Sequence, residues 1–492
     1  AETVYQLGED NEGTTVNKIY QDSSGTLWFG CDSGVTILHG GELYYYNERF
    51  GLSEDRVVSI LEDREGCIWL GLDRGGIQRL KPSRFKTVAL STSINAIAED
   101  RVRGVVWLCG NNGLYCYDSN NGVFIENDFT RHFDGVRLRH VTTTPEGDLL
   151  ISAYAKYGIS RLYRDGHIKS WLPEDGLVGG KVRASLQAAN GDLYVATTTG
   201  LSIIDYATGD MQSFVRATGL PHEFIMCLYE AQNGDIWCGT DGGGVFVMRD
   251  RQIAERYTTD EGLIGNVIFT ITQLADNDDV WICTGTGISR LHNGEFASFP
   301  SSMMGGLGSV FQMLPDEGNT LWLTCNGGIA SVKRKQLEDA LENVENAVSI
   351  TSYGASEGVT SGGVTSTSFS VVDNDGRIWF TLIDGFSVYD PTRIKIKTVP
   401  VVDVQSVTVD GTVIPYRGQE IMVPPESKRL IIRYTALGSL SPELMEFRYR
   451  LNGFEDDYSP WSQERQVSFT SLKPGRYTFN VQALSSDDMH SA

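Results

Sequence analysis

One short pattern recurs through this chain: an apolar run centred on an aromatic residue, a glycine-containing turn, then a second apolar run. "GTLWFGCDSGVTIL" places Trp28, "GCIWLGLDRGGIQRL" Trp69 and "GVVWLCGNNGLYCY" Trp107. Later copies place Leu150 ("GDLLISAYAKYGISRL"), Tyr194, Trp237, Trp281, Trp322 and Trp379 at the same point. The nine copies are spaced by 41, 38, 43, 44, 43, 44, 41 and 57 residues. All but the last spacing match the length of a β-propeller blade. A β-rich run precedes the aromatic, as in "RVVSILEDREG", and an outer strand follows in several copies, as in "ELYYYNE". Glycine supplies the positive φ that the tight turns between them need.

The fold class expected is therefore all-β. Nine four-stranded blades over residues 1–398 form a single ring, closed by the N-terminal stretch "TVYQLGED" as the outer strand of the last blade. The rival arrangement puts some copies in a second, incomplete ring. The aromatics Trp28, Trp69, Trp107, Tyr194, Trp237, Trp281, Trp322 and Trp379 are read as blade-packing residues. Two positions after each lies a small residue, from Gly30 and Gly71 to Thr324 and Thr381, suited to inner strands converging on a narrow axis. The one long spacing holds "KRKQLEDALENVENAV" (333–348). Its Leu337, Leu341 and Val344 share a helical face, so it reads as a helix packed between blades.

Residues 399–492 have another texture. "RLIIRYTAL", "MEFRYRLNGF", "QVSFTSL" and "RYTFNVQAL" are alternating strands, and Tyr477, Phe479, Val481 and Ala483 share one face. An immunoglobulin-like β-sandwich is expected, with its final strand cut short at "SSDDMHSA".

Composition narrows the function. A net charge of −22 repels phosphate backbones and disfavours nucleic acid. No apolar stretch is long enough to span a bilayer, so membrane attachment is expected only through a segment outside this chain. The eight cysteines form no CxxC pair. Cys109 and Cys283 take the small-residue position, and buried free thiols are the main reading; a Cys109–Cys116 disulfide across one turn is the alternative. The seven histidines form no ligand motif, and no metal or cofactor is expected. Most Asp and Glu recur at turns, as in "LEDREG" and "DNDG", which signals turn chemistry and not a unique acid–base pair.

At this point the residues resemble a known family. "RVVSILEDREGCIWLGLDRGGIQRL" resembles the repeat of two-component regulator propellers. "YRLNGFEDDYSPWS", continuing to "VSFTSLKPGRYTFNVQA", resembles the three-tyrosine (Y_Y_Y) domain that follows such propellers, with Tyr434, Tyr449 and Tyr477 at positions suited to its tyrosines. The resemblance implies a periplasmic, ligand-sensing region of an inner-membrane regulator whose output is a histidine kinase, often hybrid, or a diguanylate cyclase. It also implies an oligosaccharide or other small-molecule ligand and a homodimer through the C-terminal module. Many relatives carry about fourteen repeats in two rings, where this chain has nine, and no output domain is present. A propeller enzyme acting on a polysaccharide and a protein-binding scaffold are the alternatives.

Ligand contacts are sought where copies depart from the repeat. "AYAKYG" offers Tyr154, Lys156 and Tyr157, two rings for stacking and an ammonium donor. "SSMMGGLG" offers Met303 and Met304, and "YGASEGVTSGG" offers Tyr353. No catalytic residue is expected.

Overall fold

The computed structural model describes Tyr5, Leu7 and residues 14–491, apart from 155–156, 206, 275–276, 344–347, 367–368, 394–397, 439–440, 456 and 486–488. Two compact units are present: 84–393, and 1–83 with 394–492.

Within 84–393, alternating apolar strands joined by glycine turns build seven four-stranded antiparallel sheets. Six are consecutive in sequence, at 94–125, 138–171, 182–214, 225–257, 268–300 and 310–353. The seventh takes three strands from 371–389 and its outer strand from Phe85–Ala89, which pairs with Gly385–Tyr389. First and last sheets then meet. Ile97, Val106 and Leu108 share a buried cluster with Trp379 and Phe386, and the Ile97 N–H donates to the Phe369 carbonyl at 3.0 Å. The ring is closed, with the last blade completed by a strand from the start of the same unit.

This corrects the single ring of nine. Seven copies close a ring, and the closing strand is Phe85–Ala89, not the N-terminal stretch, of which only Tyr5 and Leu7 are described. The first two copies form a four-stranded sheet (16–46) and a three-stranded one (57–80) in the other unit. The second lacks an outer strand because the chain leaves it to enter the ring. Val35, Val57, Ile60 and Leu70 seal the two sheets together. With no ring around them, Ile19, Val58 and Leu61 of their first strands stay exposed.

The recurrent turn carboxylates have a definite task. Asp373 accepts the Trp379 Nε1–H at 2.8 Å while its other oxygen accepts the Asp375 and Arg377 N–H groups. Asp22, Asp63 and Asp316 do the same for Trp28, Trp69 and Trp322. Asp100 does so for Trp107, at 3.0 Å. Where this aspartate is missing, another stands two residues before the aromatic position and takes an arginine: Asp148 with Arg161, Asp192 with Arg251, Asp235 with Arg249. Burial works against the Asp100 charge, but hydrogen bonds from Arg103 and Trp107 outweigh it and hold its carboxyl below the usual range.

The small residues two positions after the aromatic have a sharper role than convergence on an axis. They lie where the next blade's innermost strand crosses: a Cβ on Gly239 would come within 2.6 Å of Ile268, and Ser152 donates to Ser185 at 3.0 Å. All eight cysteines are buried and free. Cys109 pairs across the hairpin with Leu114, and Cys116 with Trp107, so the two thiols are not opposite each other. The insert is helical over Arg334–Glu342, with Leu337, Ala340 and Leu341 buried; Val344 lies outside the described residues.

The C-terminal module is a sandwich of a four-stranded sheet and a two-stranded one, Glu446–Asn452 with Thr478–Leu484. Its core gathers Tyr434, Phe447, Phe469 and Ala483, with Tyr449, Tyr477, Phe479 and Val481 packed against them. The Tyr477 hydroxyl donates to the Lys473 carbonyl at 2.8 Å and ties down the turn before its strand.

Asp100→Ala removes the acceptor for Arg103 and the Trp107 N–H. It is expected to cost about 3–5 kcal/mol in chemical denaturation, whereas exposed Asp165→Ala stays within about 0.5 kcal/mol.

Candidate ligand-binding mouth of the ring

Six of the seven innermost strands of the ring begin with an apolar residue that pairs with its neighbour, then slip by one residue before pairing resumes. The slip falls between Leu138 and His140, Val182 and Ala184, Ile225 and Cys227, Ile268 and Thr270, and Val310 and Gln312. In the first blade it leaves Asn95 unpaired. Such a bulge turns the extra residue away from its strand's regular alternation and re-aims its side chain. The bulge residues are Asn95, Arg139, Arg183, Met226, Phe269 and Phe311, one per blade in succession.

These side chains meet from blade to blade. An Arg139 Nη1–H donates to Asn95 Oδ1 at 3.4 Å, and Arg183 Nη2 reaches the Met226 sulfur at 3.3 Å. Phe269 and Phe311 stand edge to face, centroids 5.1 Å apart. The set is cationic on one side and apolar on the other. Rim residues extend it: Arg137 and Lys181 lie over the Tyr154 ring at 5.0 and 5.5 Å, and Arg183 lies 5.3 Å over Phe224. Arg139 and Arg183 are 7% and 9% exposed. Burial, with Arg183 and Arg137 alongside, pulls the Arg139 guanidinium down to about 10.

Below the bulges sits Phe369. It packs against buried clusters from three parts of the ring and stands edge-on to His140 at 4.5 Å. Burial pushes His140 down to about 4, and its Nδ1 accepts the Ser185 N–H at 3.4 Å.

The sequence-derived candidates scatter. Tyr154 belongs to the rim just described, and Lys156 lies outside the described residues. The Tyr157 ring turns to His132 and Phe133, 5.0 and 5.4 Å away. Met303 is exposed, whereas Met304 is 1% exposed and packs in the core. Tyr353 stacks on Trp322 at 5.0 Å, hydrogen-bonds Ser331 at 3.0 Å, and has its hydroxyl pushed up by burial. Beside it the loop 353–364 lines a pocket of about 390 Å³ with Asn326 and Asp384. The irregular loops attract attention in the sequence, but the bulge set does not, because it hides inside strands. A signal is nonetheless present: "INA", "LRH", "VRA", "IMC", "IFT" and "VFQ" each place a residue of freely varying chemistry directly after an Ile, Leu or Val. Among the described residues no group of three or more His, Cys, Asp or Glu side chains could hold a metal ion.

Comparison with known proteins agrees with this architecture. The two component regulator propeller family matches residues 10–33, 51–74 and 219–242, and the Y_Y_Y domain family matches 439–489. The chain thus carries two-component regulator propeller repeats and a Y_Y_Y domain. Among solved structures it is similar to the extracellular domain of what is described as the hybrid two component system BT3049 of B. thetaiotaomicron. There the TM-score is 0.71 at 20% identity, covering 97% of this chain and 67% of that one. The corresponding domain of BT4673 from the same organism gives 0.52 at 16% identity, covering 97% and 68%. No curated protein matches the sequence.

His140 is uncharged in the fold but takes a proton near pH 6.5 once unfolded. Stability is therefore complete above about pH 6.5 and falls as pH drops toward 4, by no more than about 3 kcal/mol. Denaturation midpoints across that window should show this slope, and His140→Asn should flatten it.

Proposed function

We propose that this chain is the extracytoplasmic, ligand-sensing region of a membrane-anchored signal-transduction protein, with a histidine kinase or a diguanylate cyclase as its output. The observation that carries this reading is the ring mouth. In six neighbouring blades a bulge frees one residue of the innermost strand from the ladder, and these side chains meet in pairs from blade to blade, which suits binding more than scaffolding. The repeats, the Y_Y_Y domain and the likeness to extracellular domains of two component systems support it. Among the described residues no helix is long and apolar enough to cross a membrane, so the anchor belongs to another segment. The ligand is proposed to be an oligosaccharide, with Tyr154 as a stacking surface.

The turn aspartates are held by tryptophan and arginine, which speaks against their use as a hydrolytic pair and favours a binding role for this region. Ligand binding transmits a signal only if the two states of the sensor differ in affinity for it. The C-terminal module is the proposed coupling element and homodimer contact.

A panel of glycan fragments tested by calorimetry and thermal shift checks the reading. A ligand at about 100 times its Kd should add about 2.7 kcal/mol of stability. Tyr154→Ala should weaken its binding at least about fivefold, whereas Tyr157→Ala should leave affinity within about twofold, since that ring packs on His132 and Phe133. Release of reducing ends by the chain would replace this reading with an enzyme. Stoichiometric capture of a protein with no small ligand would replace it with a scaffold.

A further inference from the structure

We propose that the ring mouth selects an anionic ligand, one whose carboxylate or sulfate group is clasped by Arg183 and Arg139 while an apolar face lies toward Phe269 and Phe311. This deepens the sensor reading and rests on it for the sugar part of the ligand.

The inference starts from an imbalance of charge. The chain carries 63 acidic residues against 41 basic ones, so carboxylate partners are plentiful. Elsewhere in the ring a buried arginine has one: Arg161, 2% exposed, lies 2.7 Å from Asp148 and 3.3 Å from Glu146. Arg183 has none. It is 9% exposed, and its neighbours are the Met226 sulfur, the Phe224 face and the Tyr154 hydroxyl, which is neutral. Asp241 acts on it from a distance without forming an ion pair. A buried guanidinium without a counter-charge is costly and persists only where something compensates it.

The surroundings raise that cost. Arg139 and Arg137 add positive charge beside Arg183, and Lys181 and Arg137 flank Tyr154 at the rim. Four cations thus converge from two adjacent blades of an acidic protein. A planar, bidentate guanidinium fits carboxylate and sulfate oxygens, and two of them can hold one anion from two sides. Beyond Met226, whose sulfur touches Arg183, Phe269 and Phe311 of the next two blades bring no charge, so the other side of the ligand is read by apolar contact. An acidic sugar has this polarity: an anionic group on one edge and a C–H face on the other.

The test uses the whole chain with four probes: trigalacturonic acid, a 6-sulfated chondroitin disaccharide, neutral galactotriose and inorganic sulfate. At least one anionic probe should bind, with affinity falling as salt rises from about 20 to 300 mM. Arg183→Met should weaken that binding at least about tenfold while raising the melting temperature of the unliganded protein, because an uncompensated charge is gone. Arg183→Lys should recover part of the binding. Arg137→Ala, at an exposed position, gives a second variant that leaves the core untouched and should weaken binding less. Which of the two sugars wins separates carboxylate from sulfate.

Binding of galactotriose with the acidic probes silent, unaltered in Arg183→Met, would overturn the anion inference and leave the sensor reading standing. Response to inorganic sulfate alone, lost in Arg183→Met, would uphold the anion site and remove the oligosaccharide. No difference between wild type and Arg183→Met with any probe, inorganic sulfate included, would overturn it outright.

Discussion

A buried or half-buried carboxylate at the turn between the first two strands of each blade is the interaction on which the rest of the ring depends. In five copies it stands six or seven residues before a tryptophan and takes that indole N–H, as Asp22, Asp63, Asp100, Asp316 and Asp373 do. In the four middle copies it stands two residues before the aromatic position, and Asp148, Asp192, Asp235 and Asp279 face arginines. In the first five the aspartate accepts backbone N–H groups of its tight turn together with the indole N–H, and in the middle four its charge is offset by the arginine. With the turn held, the aromatic beside it lies flat between sheets, and the blade has a fixed face to pack.

In residues 84–393 blade faces fixed in this way stack as a ring. The small residues after the aromatic let each innermost strand cross close to its neighbour: Gly239 against Ile268, Ser152 against Ser185. The crossing draws seven first strands together, and the bulge near the start of most of them frees one side chain to face the centre. The mouth is therefore a by-product of the packing geometry. Its chemistry is not repeated, because the bulge residue stands outside the ladder pairing that the blades share. That freedom lets Arg139 and Arg183 share a mouth with Phe269 and Phe311.

Much of this is legible in the sequence because it is local. Period-two alternation and turn residues announce the blades, and Trp69 or Trp379 with an aspartate six residues before it announces the clamp. Leu337 and Leu341 announce a helix, which forms over Arg334–Glu342. Tyr477, Phe479, Val481 and Ala483 share the face that enters the sandwich core. The candidate ligand residues were less legible. Met304 sits in an irregular loop and Tyr353 ends the outer strand Ile350–Tyr353, and both side chains pack with buried clusters of the ring. Tyr154 joins the mouth because its turn crosses the rim near Lys181.

The sequence by itself determined the repeat unit, the all-β class, the clamped turns, the buried thiols and the sandwich, since each depends on residues within one or two strands of each other. Only the tertiary structure decided how many blades close. Phe85–Ala89 pairs with Gly385–Tyr389 from about 300 residues away, and nothing in either strand's pattern differs from strands that pair at home. Closure depends on the angle at which blades pack, a property of the assembled ring that no single copy carries. The cationic mouth was decided there too: Arg139 and Arg183 lie 44 residues apart in sequence, and only the bulges of adjacent blades bring them to one centre.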